Sequence, residues 1–309
     1  MSAPLRLSLA LSDNARTRPL LDGRVTPEGI RFDGQALHPS EMFWRQLSFE
    51  EFDVSELSIS SFLIGLSRGR TTWLALPVFT TRKVFHTTVQ VRVDSGIEVP
   101  ADLAGKRVGV PEYQQTWAVW SRGVLAEEFG VDPRTIEWFM ERGPDRSHGA
   151  ATGFTPPPGV TVRQIAPETD IGRMLLAGEL DATLLYLNQP NAVDRSTIDL
   201  DASPDIRTLF PDPEAEARRY RAKTGIHPIN HLAVVRRSLV EEQPWIARAV
   251  YDAFVEAKAL ADGADGPDPY GVSANLKTIQ TIARYVHDQG LADRRLGVEE
   301  IFAPETLAT

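Results

Sequence analysis

Two segments of the chain place small hydroxyl or amide side chains where a short apolar run gives way to a helix-like pattern. The first covers residues 53–62 and contains Ser58, Ser60 and Ser61, and the second covers residues 103–117. A helix N-terminus leaves backbone N–H groups unpaired and carries partial positive charge, so it can bind a carboxylate or a phosphate. Two such turns in different halves of the chain favour a small anion held in a cleft between two lobes.

Composition indicates a globular protein and excludes several classes of function. The chain has 309 residues, which predicts about two domains, and it is 42% hydrophobic and 24% charged. The net charge is -9 and the basic clusters are short, so no nucleic-acid partner is expected. The absence of cysteine excludes disulfides, thiolate metal sites and cysteine nucleophiles.

The apolar runs are too short to cross a membrane, since a spanning helix needs roughly 20 apolar residues. Residues 1–13 hold a short apolar stretch interrupted by Arg6, which we interpret as a first strand rather than a signal peptide. We therefore expect a cytoplasmic protein with no membrane partner. The sequence leaves the oligomeric state open, and a homo-oligomer is compatible with it.

Strand patterns alternate with helix patterns, which predicts α/β layers with largely parallel strands. Ligands of such sheets lie outside the carboxyl ends of the strands, where the turns described above fall. We predict a first lobe from residues 1–94 plus 228–309 and a second lobe from residues 95–227. The predicted strands include residues 5–11, 31–37, 52–59, 72–79, 84–93, 107–110, 136–139, 180–186 and 231–235, the predicted helices include 41–47, 62–67, 116–129, 171–177, 214–222, 244–260, 273–289 and 298–302, and residues 148–159 are predicted to form a loop.

Taken in order, these turns resemble the type II periplasmic-binding-protein fold. The segment DLAGKRVGVPEYQQTWAVW is similar to the start of the second lobe in that fold, and GELDATLLY is similar to a later strand that contacts ligand. The fold class implied is α/β, two-lobed, with a ligand cleft between the lobes.

Five further motifs resemble the 4,5-dihydroxyphthalate decarboxylase family over about residues 5–302. They are VSELSISSFLIGLSRG, LPVFTTRKVFH, VPEYQQTWAVWSRGVLAEEFGV, TGIHPINHLAVVR and DPYGVSANLKTI. The resemblance implies removal of CO2 from a hydroxylated aromatic carboxylic acid, which is the expected small-molecule partner. In 4,5-dihydroxyphthalate each carboxylate is para to a hydroxyl that can push electrons into the ring, so no cofactor is expected. The protein has to supply anion donors and a proton donor that titrates near the working pH.

The candidate catalytic residues are two histidines and one glutamate. We predict His231 as the proton donor and His86 as the alternative, because the free pKa of histidine suits acid–base work near neutral pH. Glu112 is a candidate base for a phenol, although a carboxylate beside a dianionic substrate is costly unless it is protonated. His227 precedes His231 by four residues, but Pro228 breaks a helix that would place both on one face, so no metal is predicted.

Arg82 is the candidate clamp for a substrate carboxylate, because a guanidinium can donate two parallel hydrogen bonds. Each of these residues also has a structural interpretation: Arg82 as a surface arginine, the serines as helix caps and Trp117 as core packing. The remaining candidates for substrate binding are Ser58, Ser60, Ser61, Gln114, Thr116, Trp117, Tyr186, Asn188 and His227.

Two other functions stay compatible with the same fold. One is a solute-binding protein for an aromatic carboxylate, which would have the cleft without catalysis. The other is a different enzyme on the same scaffold, such as one related to menaquinone synthesis. Fold alone does not separate them.

Overall fold

The computed structural model describes residues 3–263 and 266–309, which group into two compact units. Unit 1 contains the described residues of Met1–Arg82, Ile229–Ala283 and Asp293–Thr309, and unit 2 contains Lys83–Pro228 and Arg284–Ala292. These bounds differ from those of the predicted lobes at residues 83–94 and 284–292, which lie in unit 2.

The strands and helices follow one another in α/β order along much of the chain. The strands are β1 (Leu5–Leu11), β2 (Ile30–Ala36), β3 (Val54–Ser58), β4 (Trp73–Arg82), β5 (Gln90–Arg92), β6 (Arg107–Val110), β7 (Glu137–Met140), β8 (Thr161–Gln164), β9 (Ala182–Thr183), β10 (Ile206–Thr208) and β11 (Ile229–Arg236). The helices are α1 (Arg18–Leu21), α2 (Pro39–Phe49), α3 (Ile59–Ser67), α4 (Thr116–Phe129), α5 (His148–Thr152), α6 (Ile171–Leu176), α7 (Pro213–Thr224), α8 (Arg237–Glu242), α9 (Trp245–Asp262), α10 (Leu276–Asp288) and α11 (Val298–Ile301).

Unit 1 is built on a five-stranded sheet with the order β2-β1-β3-β11-β4. Strands β1 and β3 are parallel, whereas β11 runs antiparallel to both β3 and β4. The carboxyl ends of β1, β3 and β4 therefore lie at the same edge as the amino end of β11. Strand β3 is buried along its whole length, as expected for a central strand covered on both faces.

Unit 2 is built on a six-stranded sheet with the order β10-β5-β9-β6-β7-β8. Strand β6 pairs in parallel with β7 and β9, and β5 pairs antiparallel with β9 and β10. Gly109 in β6 is closely approached by side chains, since a Cβ atom there would lie 3.0 Å from the Leu180 side chain and 3.1 Å from that of Ile171, and these neighbours would have to shift. The missing side chain lets α6 and the segment before β9 pack closely on the strand.

Most of the predicted elements are confirmed, including β1 and β6 with the predicted bounds and α4 over Thr116–Phe129. Three predictions are wrong in part. The strand expected over residues 84–93 contains a 3₁₀ turn at Phe85–Thr88 before the short β5. The strand expected over 180–186 is limited to β9, and the loop expected over 148–159 begins with α5. Within the described residues, no helix is both long and apolar enough to cross a membrane.

Candidate active site

A buried carboxylate–histidine pair lies at the edge of the unit 1 sheet where the strand ends meet. Glu56 of β3 is fully buried, and its Oε2 atom is 3.2 Å from Nδ1 of His231 on the adjacent β11. Thr80 of β4 donates to the same oxygen at 2.7 Å. Ser12, which follows β1, donates to Oε1 from its backbone nitrogen at 2.8 Å and from its hydroxyl at 2.6 Å. Three segments of the chain thus hold this glutamate of β3 in position.

The hydrogen bonds around Glu56 favour its ionised form. Burial by itself would raise the pKa of Glu56, but the hydrogen bond and charge of His231 and the hydroxyls of Ser12 and Thr80 outweigh it and hold that pKa below the ordinary value. No lysine or arginine forms an ion pair with Glu56 in the part of the chain that the structure describes. Within the described residues, His231 is therefore the one basic side chain that forms an ion pair or hydrogen bond with this carboxylate.

The ring of His231 is held on three sides, yet it keeps 7% of its surface exposed. Its Nε2 atom lies 2.9 Å from the amide nitrogen of Asn230, and its ring stands edge-on to Phe43 with centroids 4.7 Å apart. A half-turn of the Asn230 amide would present its oxygen instead, so this residue can contact either the neutral or the protonated ring. Nδ1–H bonded to a carboxylate is the usual way of fixing the tautomer and orientation of a histidine.

The three predicted serines lie beside this pair, because Ser58 on β3 is in register with His231 on β11. Ser58 caps α3, its hydroxyl 3.5 Å from the nitrogen of Ser61 and 3.3 Å from the hydroxyl of Ser60. The alternative interpretation as a helix cap is confirmed for Ser58. Contact of the three serines with a substrate stays a prediction.

Arg82 ends β4 in unit 1, where it faces Ile229 in the register. Its Nη2 donates to Oδ1 of Asn275 at 2.5 Å and to the carbonyl of Pro269 at 3.3 Å, and its guanidinium lies 5.1 Å from the Phe79 ring centroid. These contacts hold the side chain at the end of β4. Its role as a carboxylate clamp stays a prediction.

In unit 2, three of the predicted binding residues line a single cavity of about 290 Å³. Trp117 supplies an aromatic wall, and Tyr186 and Asn188 lie on the segment after β9. Both of these donate to the carbonyl of Ile198, at 2.9 Å and 3.3 Å. Burial raises the pKa of Tyr186 to about 12, so its hydroxyl is neutral and acts through hydrogen bonds.

Lys83 gives the same cavity a cation that the sequence analysis did not select. Its Nζ lies 4.9 Å from the Trp117 ring centroid, and Trp117 itself is fixed by its Nε1, which donates to the hydroxyl of Thr88 at 3.1 Å. Burial lowers the pKa of Lys83. The cavity therefore combines one amine and one indole face with amide and hydroxyl groups, and its wall also includes the carboxylates of Asp199 and Asp201.

Glu112, the candidate base, lies in a buried network of unit 2. Its carboxylate accepts from Arg142 Nη1 at 2.9 Å, from the backbone nitrogens of His148 and Gly149 at 2.8 and 3.0 Å, and from the Ser147 hydroxyl at 3.1 Å. Burial would raise the pKa of Glu112, but the charges of His148 and Arg142 and these hydrogen bonds lower it. The arrangement holds the loop before α5 against the end of β6.

The two candidates that follow Glu112 are buried with it. Gln114 is fully buried and donates from Nε2 to the Glu112 carboxylate. Thr116 is 1% exposed at the first position of α4. Their contact with a substrate stays a prediction, as does the role of Glu112 as a base.

His86, the alternative proton donor, is fully buried in unit 2. Its Nε2 is 2.8 Å from Oε1 of Glu216 on α7, and its ring packs against Phe210 and Tyr220 with centroids 5.4 and 5.3 Å apart. Burial lowers the pKa of His86, and Glu216 opposes this effect without overcoming it. The lowered pKa favours the neutral ring. His227 is half-buried in unit 2, whereas His231 belongs to unit 1. No group of metal-ligating side chains occurs among residues 3–263 and 266–309.

Glu56, Ser12, Thr80 and Lys83 belong to these sites but were not selected from the sequence. The one available signal was Glu56 itself, an acidic residue inside the otherwise apolar or small strand VSELS. A charge in a strand buried on both faces needs partners. Those partners come from positions 44, 24 and 175 residues away, which no local pattern reveals.

Comparison with known proteins shows which family shares this sequence. The chain is 33% identical to a 4,5-dihydroxyphthalate decarboxylase of Comamonas testosteroni over an alignment of 329 positions, which covers 98% of both proteins. It is 36% identical over 220 residues to a 4,5-dihydroxyphthalate decarboxylase of Pseudomonas putida, covering 71% of this chain and 82% of that protein. No family model matches the chain. The protein belongs to the 4,5-dihydroxyphthalate decarboxylase family, which confirms the resemblance.

Solved structures confirm the predicted fold class. The alkanesulfonate-binding protein SsuA of Xanthomonas axonopodis pv. citri superposes with a TM-score of 0.57 at 15% identity, covering 98% of this chain and 99% of that one. SsuA of Escherichia coli has the same TM-score at 12% identity, covering 99% and 100%. The desulfurization enzyme DSZB has a TM-score of 0.52 at 17% identity, covering 97% of each chain. The superpositions establish the periplasmic-binding-protein-like fold. At identities this low they say nothing about the ligand.

Proposed function

We propose that this protein is a carboxy-lyase that removes CO2 from a hydroxylated aromatic carboxylic acid of the 4,5-dihydroxyphthalate type. Both named relatives carry this activity in their names. The observation that carries the mechanism is the Glu56–His231 pair, with Nδ1 and Oε2 3.2 Å apart at the edge where the strand ends of unit 1 meet. A protein that only binds a solute does not need a proton donor of this kind.

His231 is the proton donor in this proposal. An ionised hydroxyl para to the leaving carboxylate raises the electron density at the ring carbon that carries that carboxylate. His231 transfers a proton to this carbon, and the electron pair of the broken C–C bond restores the aromatic ring as CO2 leaves. Glu56 stabilises the protonated imidazole and fixes its orientation, and solvent returns the proton afterwards. A positioned acid of this kind is typically worth about 10²–10⁴-fold in rate.

In this proposal two cationic side chains bind the negative charges of the substrate, and one aromatic side chain packs against its ring. In unit 2, Lys83 offers charge and Trp117 a ring face in the cavity of about 290 Å³. In unit 1, Arg82 is the proposed carboxylate clamp at the end of β4. The net charge of -9 gives no long-range attraction for an anion, so binding depends on these local donors. A cytoplasmic location and independence from cofactors are part of the proposal.

The direct test is turnover in deuterium oxide with two acids. 4,5-Dihydroxyphthalate should release one CO2 and yield 3,4-dihydroxybenzoate with one deuteron at the carbon that lost the carboxylate. Phthalate, which has no hydroxyl to supply electrons, should bind without releasing CO2, and EDTA should not change the rate. Tight binding of 4,5-dihydroxyphthalate with no CO2 would favour the solute-binding alternative instead.

Replacement of Arg82 tests the clamp separately from the chemistry. Arg82→Ala should weaken substrate binding by about 2–5 kcal/mol if the ion pair with substrate is desolvated. Arg82→Lys should recover only part of it, because an ammonium cannot donate in the bidentate manner. An unchanged Kd in Arg82→Ala, measured by calorimetry with phthalate, would exclude the clamp and leave the proton donor untouched.

A further inference from the structure

Arg122, in the middle of α4, is a buried cation that the proposed reaction does not use. Its side chain is 1% exposed, and its Nε donates to Oε1 of Gln289 at 3.0 Å. Within residues 3–263 and 266–309, neither Nη1 nor Nη2 has a hydrogen-bond partner. The guanidinium stacks on Tyr113, 3.7 Å from the ring centroid, and lies 5.5 Å from that of Trp138. Stacking on rings offsets part of the desolvation but leaves the donors unsatisfied.

The second fully buried arginine of unit 2 shows what the fold does when it pairs such a charge. Arg142 is also 1% exposed, but its Nη1 donates to Glu112 at 2.9 Å and its Nε donates to Asp194 at 2.7 Å. The pKa of Arg142 is raised by these two carboxylates, whereas burial lowers the pKa of Arg122. Buried charges in proteins are normally paired, so Arg122 is the exception that needs a counter-charge.

Arg122 forms part of the wall of a cavity of about 540 Å³ in unit 2. The three acidic groups of that wall already have partners. Glu127 accepts from Arg284 at 2.5 Å and from the Tyr285 hydroxyl at 2.6 Å, and Oδ1 of Asp288 lies 2.8 Å from Nδ1 of His287. Asp132 accepts from Arg134, with a closest distance of 2.7 Å. Much of the remaining wall is flat and apolar, made of Tyr113, Gly123, Pro157, Pro158, Val160 and Tyr285.

We propose that this cavity is a second ligand site, separate from the candidate active site, that binds a small aromatic carboxylate. The carboxylate would accept from Nη1 and Nη2 of Arg122 in the bidentate geometry, and the ring would pack between the tyrosine and proline side chains. Gln289 both lines the cavity and holds Nε of Arg122, so its side chain is the one expected to turn aside as the carboxylate enters. The apolar walls favour an aromatic acid over inorganic phosphate.

The test is a crystal of the full chain soaked in 4-bromobenzoate, with the bromine located by anomalous scattering, alongside calorimetric titration of the same probe. The expected result is a bromine in the cavity beside Arg122, which disappears in Arg122→Met. Arg134→Met is the matched control, because Arg134 lines the same cavity but is 68% exposed and paired with Asp132. It should keep the bromine.

Three results would overturn the proposal. These are no bromine in this cavity at a concentration that saturates the calorimetric signal, an unchanged bromine in Arg122→Met, and equal occupancy by inorganic phosphate. If Arg122→Met does not fold, Arg122→Lys replaces it, because a single ammonium should weaken binding about tenfold. Retained affinity in that variant would also contradict the site.

Discussion

Each unit contains a fully buried glutamate next to a histidine, and the two glutamates are neutralised in different ways. Glu56 in unit 1 contacts two hydroxyls, one backbone nitrogen and the ring of His231. Glu112 in unit 2 contacts the guanidinium of Arg142, and the ring of His148 lies 3.8 Å away from its carboxylate. Both carboxylates have a lowered pKa and both are inaccessible to solvent.

The difference lies in the arginine. Arg142 stays protonated at every working pH and supplies a permanent positive charge that Glu112 shares with Asp194, and the network acts as a support for the loop. Glu56 has no arginine or lysine partner among the described residues, and the side chain that it contacts instead is an imidazole, a group suited to proton transfer. A buried glutamate is thus part of a structural network in unit 2, as Glu112, and part of a candidate proton-donor site in unit 1, as Glu56.

The largest expected effect separates the two histidines. His231→Asn should lower kcat by about 10²–10⁴-fold and leave KM nearly unchanged, because asparagine keeps a hydrogen bond but delivers no proton. His148→Asn is the matched change in unit 2 and should keep kcat per folded molecule. Steady-state kinetics on samples checked for folding by circular dichroism measure both, and equal losses would contradict the division of roles.

Next in size is the loss of the fixed charge in unit 2. Arg142→Met should lower the free energy of unfolding by about 3–5 kcal/mol, because it leaves Glu112 and Asp194 buried without their cation. Arg122→Met removes a buried arginine that has no carboxylate partner and should cost far less or even stabilise. Denaturant unfolding of the ligand-free protein gives both values. Similar losses in the two variants would show that Arg122 is paired in solution.

A third prediction concerns acid. A carboxylate with a pKa lowered by folding stabilises the protein above its unfolded pKa of about 4.3, and this stability is lost as the pH falls through the folded value. Glu56→Gln and Glu112→Gln should therefore both flatten the decline in unfolding free energy below about pH 5. The pH profile of kcat should shift in Glu56→Gln alone. A comparable shift of the kcat profile in Glu112→Gln would instead support Glu112 as the catalytic base.

The smallest expected effect tests the cavity beside Lys83. Trp117→Leu should raise KM about two- to tenfold with little change in kcat, since it removes a ring face worth about 0.5–1.5 kcal/mol. Trp245→Leu is the control, because Trp245 is 43% exposed in unit 1 and belongs neither to the Glu56–His231 site nor to the cavity beside Lys83. An unchanged KM in Trp117→Leu would reduce Trp117 to a packing residue.

Local sequence determined most of the framework. The alternation in LRLSLAL is enough to define β1, and the apolar spacing with a terminal Gly130 is enough to define α4. Five motifs in order also identified the family. The predictions that failed lie where tertiary pairing overrides local preference. Residues 180–186 are mostly apolar, but β5 and β6 pair with them only at β9, and the chain then leaves the sheet towards the cavity of Tyr186 and Asn188.

The candidate site was predicted only in part for the same reason. His231, Arg82 and the three serines carry the chemical types that the reaction needs, and their positions at strand ends could be read from the sequence. Only the tertiary structure decided which carboxylate contacts which histidine. Sheet pairing places β11 beside β3, so His231 contacts Glu56 over a separation of 175 residues, while His86 is enclosed among aromatic rings beside Glu216. Burial and partners set the protonation of a carboxylate or an imidazole, and these are properties of packing between distant segments that residue type alone does not contain.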